Sequence, residues 1–132
     1  MEYSRAKILR LLVDYFGDDN KRINHAIKVL YEADKFLDSQ PDCDEDIVVA
    51  VALLHDVGIK VSEQKHGYNT GEKQEKYGPQ VAEELLASIN FPHKKIKIVK
   101  NIIGNHHSPS RYNYPELTLL KKADAIINNK NQ

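Results

Sequence analysis

The sequence predicts an all-α domain, a compact bundle of about five to six helices, on three observations. Apolar residues recur at helical spacing along nearly the whole chain. Short connections marked by Gly, Pro and Asn separate these segments. The 132 residues, 41% of them hydrophobic, have the length and composition to bury one core, so residues 1–132 read as one domain.

The first helix is expected over about residues 2–16, where Ile8, Leu11, Leu12 and Tyr15 share a face, and it ends at Gly17. Asp18-Asp19-Asn20 then offers capping side chains to a second helix reaching about Asp38. Its expected apolar stripe is Ile23, Ile27, Leu30 and Leu37, with Asn24, Lys28, Lys35 and Asp38 facing water. Ser39-Gln40-Pro41-Asp42 breaks the pattern. Ile47 to Val57 is apolar nearly all round, and its β-branched content also fits a buried strand. Its length, its acidic start and the closing Gly58 favour a helix buried mid-domain.

The stretch from Ile59 to Tyr77 is polar and contains Gly67 and Gly71; it reads as a long connection, with Lys65, His66 and Lys73 placed to form a lid. Pro79 starts or kinks a helix bearing Val81, Leu85, Leu86 and Ile89. Asn90-Phe91-Pro92 breaks it. A further helix carries Ile96, Val99 and Ile103 and ends near His106-His107. Pro115 opens the last helix, with Leu120, Ala123 and Ile127 inward and a frayed tail from Asn128.

Charge and cysteine content exclude several classes. Nineteen basic residues balance nineteen acidic ones, so no electrostatic footprint of a nucleic-acid polymer or anionic-membrane binder is present. The lone Cys43 rules out an internal disulfide and a cysteine-based zinc site, and it reads as an inert thiol in a reducing compartment. The N-terminal residues show no apolar signal segment, and no run is long enough to cross a bilayer. A cytoplasmic protein, monomer or homodimer, is the expectation.

The chemistry-bearing residues are those whose polarity conflicts with their position. His55 and Asp56 follow eight apolar residues, Ile47 to Leu54, and a carboxylate at a helix C-terminus faces the negative end of the helix dipole. Unpaired, it would cost several kcal/mol or take up a proton. Asp124 sits on the apolar stripe of the last helix beside Leu120 and Ile127. His25 borders the apolar arc of the second helix. Taken singly, each has a plain explanation: a hydrogen-bonded core histidine, or an aspartate paired with Arg22 or Lys121. Three such positions in one small domain point to a shared cation.

The order Arg22-Ile-Asn-His25, Leu53-Leu-His55-Asp56-Val-Gly58 and Ala123-Asp124 resembles the HD-domain superfamily of metal-dependent phosphohydrolases, over about residues 19–128. Lys60 to Leu86, with Gln74-Glu75 and Gly78-Pro79, is similar to small bacterial members. The resemblance implies a helical bundle in which His25, His55, Asp56 and Asp124 hold one divalent ion. A mixed N/O set of this kind suits Mn, Fe, Co, Ni, Zn or, less well, Mg. It also implies a small phosphorylated substrate, a nucleotide or related metabolite. Asp56 is expected to accept a proton from water. Arg22, one turn before His25, and Lys60, after the His-Asp turn, are the expected phosphate contacts, with Arg111 a weaker candidate.

The chain departs from the family pattern at two places. Where two-metal members carry a histidine at the start of a helix, this sequence reads Gln74-Glu75-Lys76-Tyr77-Gly78, with Glu75 the available substitute. His106 continues the stripe of Ile96, Val99 and Ile103 and is expected inward, near the phosphate or as a second-site ligand; His107 reads as a solvated neighbour. One metal is therefore expected. Ile59 replaces an acidic residue of the deoxynucleotide monophosphatase branch. These departures keep open a non-catalytic sensor that binds metal and nucleotide.

Overall fold

Two aspartates set where the central helices begin. Asp19 accepts a hydrogen bond from the Arg22 main-chain N–H, and Asp44 accepts one from that of Ile47. The computed structural model describes residues 4–130, with side chains to residue 129. Among these residues the elements are α1 (Ser4–Phe16), α2 (Asn20–Leu37), α3 (Glu45–Leu54), α4 (Gly58–His66), α5 (Gly71–Ala87), α6 (His93–Ile103) and α7 (Pro115–Lys130). No strand occurs among them. The expected start of α1 before Ser4 lies outside the described residues.

α3 is the axis of the fold. All eight residues from Ile47 to Leu54 are buried, so a helix apolar on every side is enclosed by α1, α2, α6 and α7. The same residues rule in favour of helix over strand. The N-terminus of α3 is fixed by charge: Lys95 of α6 bridges Asp44 and Asp46 at 3.1 and 3.2 Å, and Glu116 of α7 accepts the Asp44 N–H at 2.7 Å.

α2 and α7 pack antiparallel across α3. Lys122 lies over the Phe36 ring, while His25 meets Asp124 nearer the other end. The buried stripe of α2 differs from the expected one: Ile23, Ala26, Val29 and Ala33 face the core, and Ile27 is 41% exposed. The alanines let the helix axes approach closely, which turns α2 away from the larger Ile27. α7 buries Leu120, Ala123 and Ile127 as expected, and it continues through the segment read as frayed, to Lys130.

The polar stretch after residue 58 is not a long connection. It forms α4 and the first turns of α5, joined by a short turn in which Gly67 takes φ 81 and Thr70 caps α5. Lys65, His66 and Lys73 therefore sit on helices and form no loop lid. α5 runs through Pro79 rather than starting there. Only Gly58, Ile59 and Ser62 of α4 are buried, which explains why the segment shows no apolar stripe. No helix among the described residues is long and apolar enough to cross a membrane.

Candidate metal centre

His55 and Asp56 stand where α3 ends and the chain turns into α4, so a buried helix delivers both to the middle of the molecule. α2 brings His25 alongside and α7 brings Asp124. His25 Nε2 lies 3.1 Å from Asp124 Oδ1 and 3.5 Å from Asp56 Oδ2. His55 Nε2 lies 3.4 Å from Asp56 Oδ2 and 3.5 Å from Asp124 Oδ1. Four donors from three helices thus converge. The two cations that might have neutralised the aspartates are engaged elsewhere. Arg22 forms a two-pronged pair with Glu63 and a further bond to Asp19, and Lys121 donates to the Ser108 carbonyl and Ser110 Oγ.

The protonation pattern follows from the bonds on the far side of each ring. His55 Nδ1 faces the Ala52 carbonyl at 2.9 Å, and a carbonyl only accepts, so Nδ1 carries the hydrogen. His106 repeats the arrangement with the Ile103 carbonyl at 2.6 Å. Both Nε2 atoms are buried and lack a hydrogen-bond partner. Each presents a lone pair toward carboxylates, since His106 Nε2 is 3.9 Å from Asp56 Oδ1. Lone pair against carboxylate is repulsive unless a cation lies between.

A divalent ion fits that requirement. Ligand atoms about 2.0–2.2 Å from one ion stand roughly 3–3.5 Å apart along the edges of its coordination shell, and the four contacts above fall in that range. His25, His55 and Asp56 offer donor atoms all within 4.8 Å of one another, and Asp124 joins them through both histidines. Without the ion a proton takes its place. Burial opposes charge on His55, but Asp56 and Asp124 outweigh it and raise the imidazole to about 9. Burial likewise opposes charge on Asp124, yet the bond from His25 and the His55 imidazole 3.5 Å away hold its carboxyl far below the usual range. His106 goes the other way: burial, then the neighbouring His55 and His107, lower it to about 3.

The centre opens into a cavity of about 830 Å³. α2 supplies one wall with Lys21, Arg22, Asn24, His25 and Lys28; Asp56, Asp124 and Asn128 form the base, with Gln74 and His107 opposite. Arg22 therefore reaches the cavity as expected, already bound to two carboxylates. Lys60 does not: its ammonium donates to the Tyr15 carbonyl and lies over that ring. Arg111 is held by Ser108 and the Gly104 carbonyl. Ile59 is buried.

His106 is inward, as its helical phase predicts, and 7% exposed. His107 is more than a solvated neighbour. Its ring lines the cavity, and Asp56, His106 and His107 offer donor atoms within 4.8 Å of one another. A polar chain fixes it. Glu63 accepts only, so Asn69 turns its NH₂ to Glu63 and its oxygen to the Gln74 NH₂. Gln74 Oε1 is then left to accept from His107 Nε2–H, at 2.6 Å. Glu75 accepts from the His107 N–H and Ser108 Oγ, so it anchors the loop and is not directed at the centre. Tertiary pairing set these roles, and no local sequence signal carried them. Lys21 and Lys28 were legible in principle, four before and three after His25, hence on its face. Cys43 is inert as expected: burial, then Glu116 and Asp42, push its thiol up to about 11.

Comparison with known proteins agrees with this geometry. The family model described as HD domain matches residues 22–129. A solved structure, that of a predicted HD superfamily hydrolase from an uncultured Thermotogales bacterium, is similar at 25% identity with a TM-score of 0.70. The match covers 92% of this chain and 66% of that one, so the chain spans just under two thirds of that protein's length. No curated protein matches the chain.

Proposed function

The chain belongs to the HD-domain family, and on that footing we propose that it is a metal-dependent phosphohydrolase acting on small phosphate esters. One observation carries the reading: two buried imidazole lone pairs and two carboxylates meet at the base of an open cavity with cationic side chains on its wall. His25, His55, Asp56 and Asp124 would hold the ion. Bound there, a divalent metal supplies Lewis acidity toward phosphoryl oxygen and acidifies water.

The side chains do the rest. Asp56 Oδ1 faces His106 rather than the other ligands, so it is the carboxylate oxygen placed to accept a proton from water. Burial keeps His106 neutral, so its Nε2 lone pair is suited to accept a hydrogen bond from that water beside Asp56. Arg22, held by Glu63 and Asp19, presents a fixed guanidinium edge rather than a free charge. Its role is orientation of phosphate at the cavity wall. A nucleotide is one ester of this kind.

The test is to load the chain in turn with Mn²⁺, Co²⁺ and Ni²⁺ and follow phosphate release from a monoester and diester panel. Turnover should appear with at least one metal, and His55→Ala should lower it by more than about a hundredfold, since even an outer partner of a ligand costs 10–100-fold. Equal, negligible release from both proteins would remove the reading. A second reading, a sensor that binds metal and nucleotide without turnover, is favoured by Gln74 occupying His107 Nε2. Tight nucleotide binding with no product would select it.

A further inference from the structure

Every residue lining the cavity carries a polar side chain, and the only rings among them are the imidazoles of His25 and His107. Small-molecule sites are usually lined mostly by apolar and aromatic groups, and a nucleobase gains about 1–3 kcal/mol by stacking on such a ring. Among the described residues no Phe, Tyr, Leu or Ile lines the cavity. His25 is committed to Asp124 and His107 to Gln74. The exposed Tyr31, Tyr68 and Tyr112 are not part of the lining.

Charge on the same wall is unevenly used. Arg22 is neutralised by Glu63 and Asp19. Lys21 and Lys28 make no ion pair or hydrogen bond with another of the described residues, and they lie one turn before and one turn after His25. Whichever way a ligand extends along α2 from the centre, it meets an unneutralised ammonium. Asn24 lies between the two lysines and Asn128 lies on the facing helix; both are carboxamides able to donate to and accept from hydroxyl groups.

Resting on the phosphohydrolase reading above, we infer that the substrate is a small hydrophilic bis-anion of the sugar or polyol bisphosphate class rather than a nucleotide. One phosphate occupies the His25–His55–Asp56–Asp124 centre, the second anionic group is held by Lys21 or Lys28 according to the direction in which the ligand extends, and hydroxyls meet Asn24 and Asn128. The reaction is hydrolysis of one P–O ester bond. Water adds its oxygen to phosphorus, the alcohol leaves with a proton, and no redox partner is needed.

Calorimetry on the full chain loaded with Mn²⁺ should compare a hexose bisphosphate, the matching hexose monophosphate and a nucleoside monophosphate, with released phosphate measured separately. The bisphosphate should bind at least about tenfold more tightly than either monophosphate, the scale of one charge-assisted contact. The Lys21→Gln/Lys28→Gln pair should bring that advantage near unity, the Lys→Arg pair should keep most of it, and Lys97→Gln on α6 should leave it unchanged. A nucleoside monophosphate that binds as tightly as the bisphosphate, or a Gln pair with the full advantage, overturns the inference. A bisphosphate preference without phosphate release sinks the hydrolase reading alone. Release from nucleotides without that preference sinks this inference alone, and no binding of any ester sinks both.

Discussion

The rings of His55 and His106 lie 5.5 Å apart between centroids, yet their pKa values move in opposite directions. Both are buried, but His55 Nε2 stands 3.4 Å from Asp56 and 3.5 Å from Asp124, whereas His106 Nε2 is 3.9 Å from Asp56 alone. This gives the metal-free protein a defined pH profile. His55 is raised from 6.5 to about 9, so its contribution to stability is complete below 6.5 and is lost as pH rises through 9. His106 is lowered to about 3, so between 6.5 and 3 the unfolded chain binds a proton that the fold refuses, and stability falls as pH drops. In EDTA the Tm should therefore peak near pH 6.5 and decline on both sides. His55→Gln should flatten the alkaline limb and soften the acid one, because His55 is one of the groups that lower His106. A monotonic profile across pH 4–9 would contradict the assignment. The candidate site was legible in the sequence in part: burial makes a His-Asp pair after Leu54 anomalous whatever the fold, while the set of four followed only from the family resemblance. The Gln74–His107 bond was not readable, because its partners are 33 residues apart and lie on separate elements.

At the scale of elements, the least legible feature, α4, also braces the site, since its Glu63 holds Arg22 and Asn69. Its nine residues bury little, so no periodicity announced it. What places it is contact between glycines: a Cβ on Gly58 would meet Gly78 N at 2.7 Å and the Gln74 carbonyl at 2.8 Å. Both are main-chain atoms, so α4 and α5 would have to separate. Gly58→Ala should cost about 1–3 kcal/mol, the range for overpacking, read as a fall in the urea midpoint. The same shift would move Gln74 from His107 and Asp56 from its neighbours, so metal affinity should weaken together with stability. At Gly78 the obstacle is one methyl, Ile103 Cγ2 at 2.7 Å, with the nearest main-chain atom at 3.7 Å, so the strain falls on one buried side chain rather than on two backbones. Gly78→Ala should therefore be the milder of the two. Equal costs would mean that the α4–α5 contact is softer than its geometry implies. α2 and α7, by contrast, were legible in position, and α2 alone differed in phase, because alanine is a weak sequence signal for burial and a strong determinant of close packing.

Across the whole molecule, the centre brings polar groups of α2 and α7 together with the residues that end α3. His25 and Asp124 are 99 residues apart in sequence, and α3 lies between their helices carrying the other two ligands. An ion held by all three acts as a cross-link of the folded state, and a ligand at a thousand times its Kd adds about 4 kcal/mol of stability. Chelation should lower the Tm accordingly. Its effect should also be uneven along the chain. α3 is enclosed on all sides by apolar contacts that do not depend on the ion, whereas the ends of α2 and α7 that carry His25 and Asp124 border the open cavity. Amide hydrogen exchange should therefore rise on EDTA treatment in the first half of α2 and the second half of α7, while Ile47 to Leu54 stay protected. The difference should be smaller near pH 6.5 than above pH 9, where His55 has lost the proton that otherwise does part of the ion's work of separating carboxylate from lone pair. If protection were lost uniformly, or if EDTA left the exchange pattern unchanged in metal-loaded protein, the ion would not be bridging these three helices.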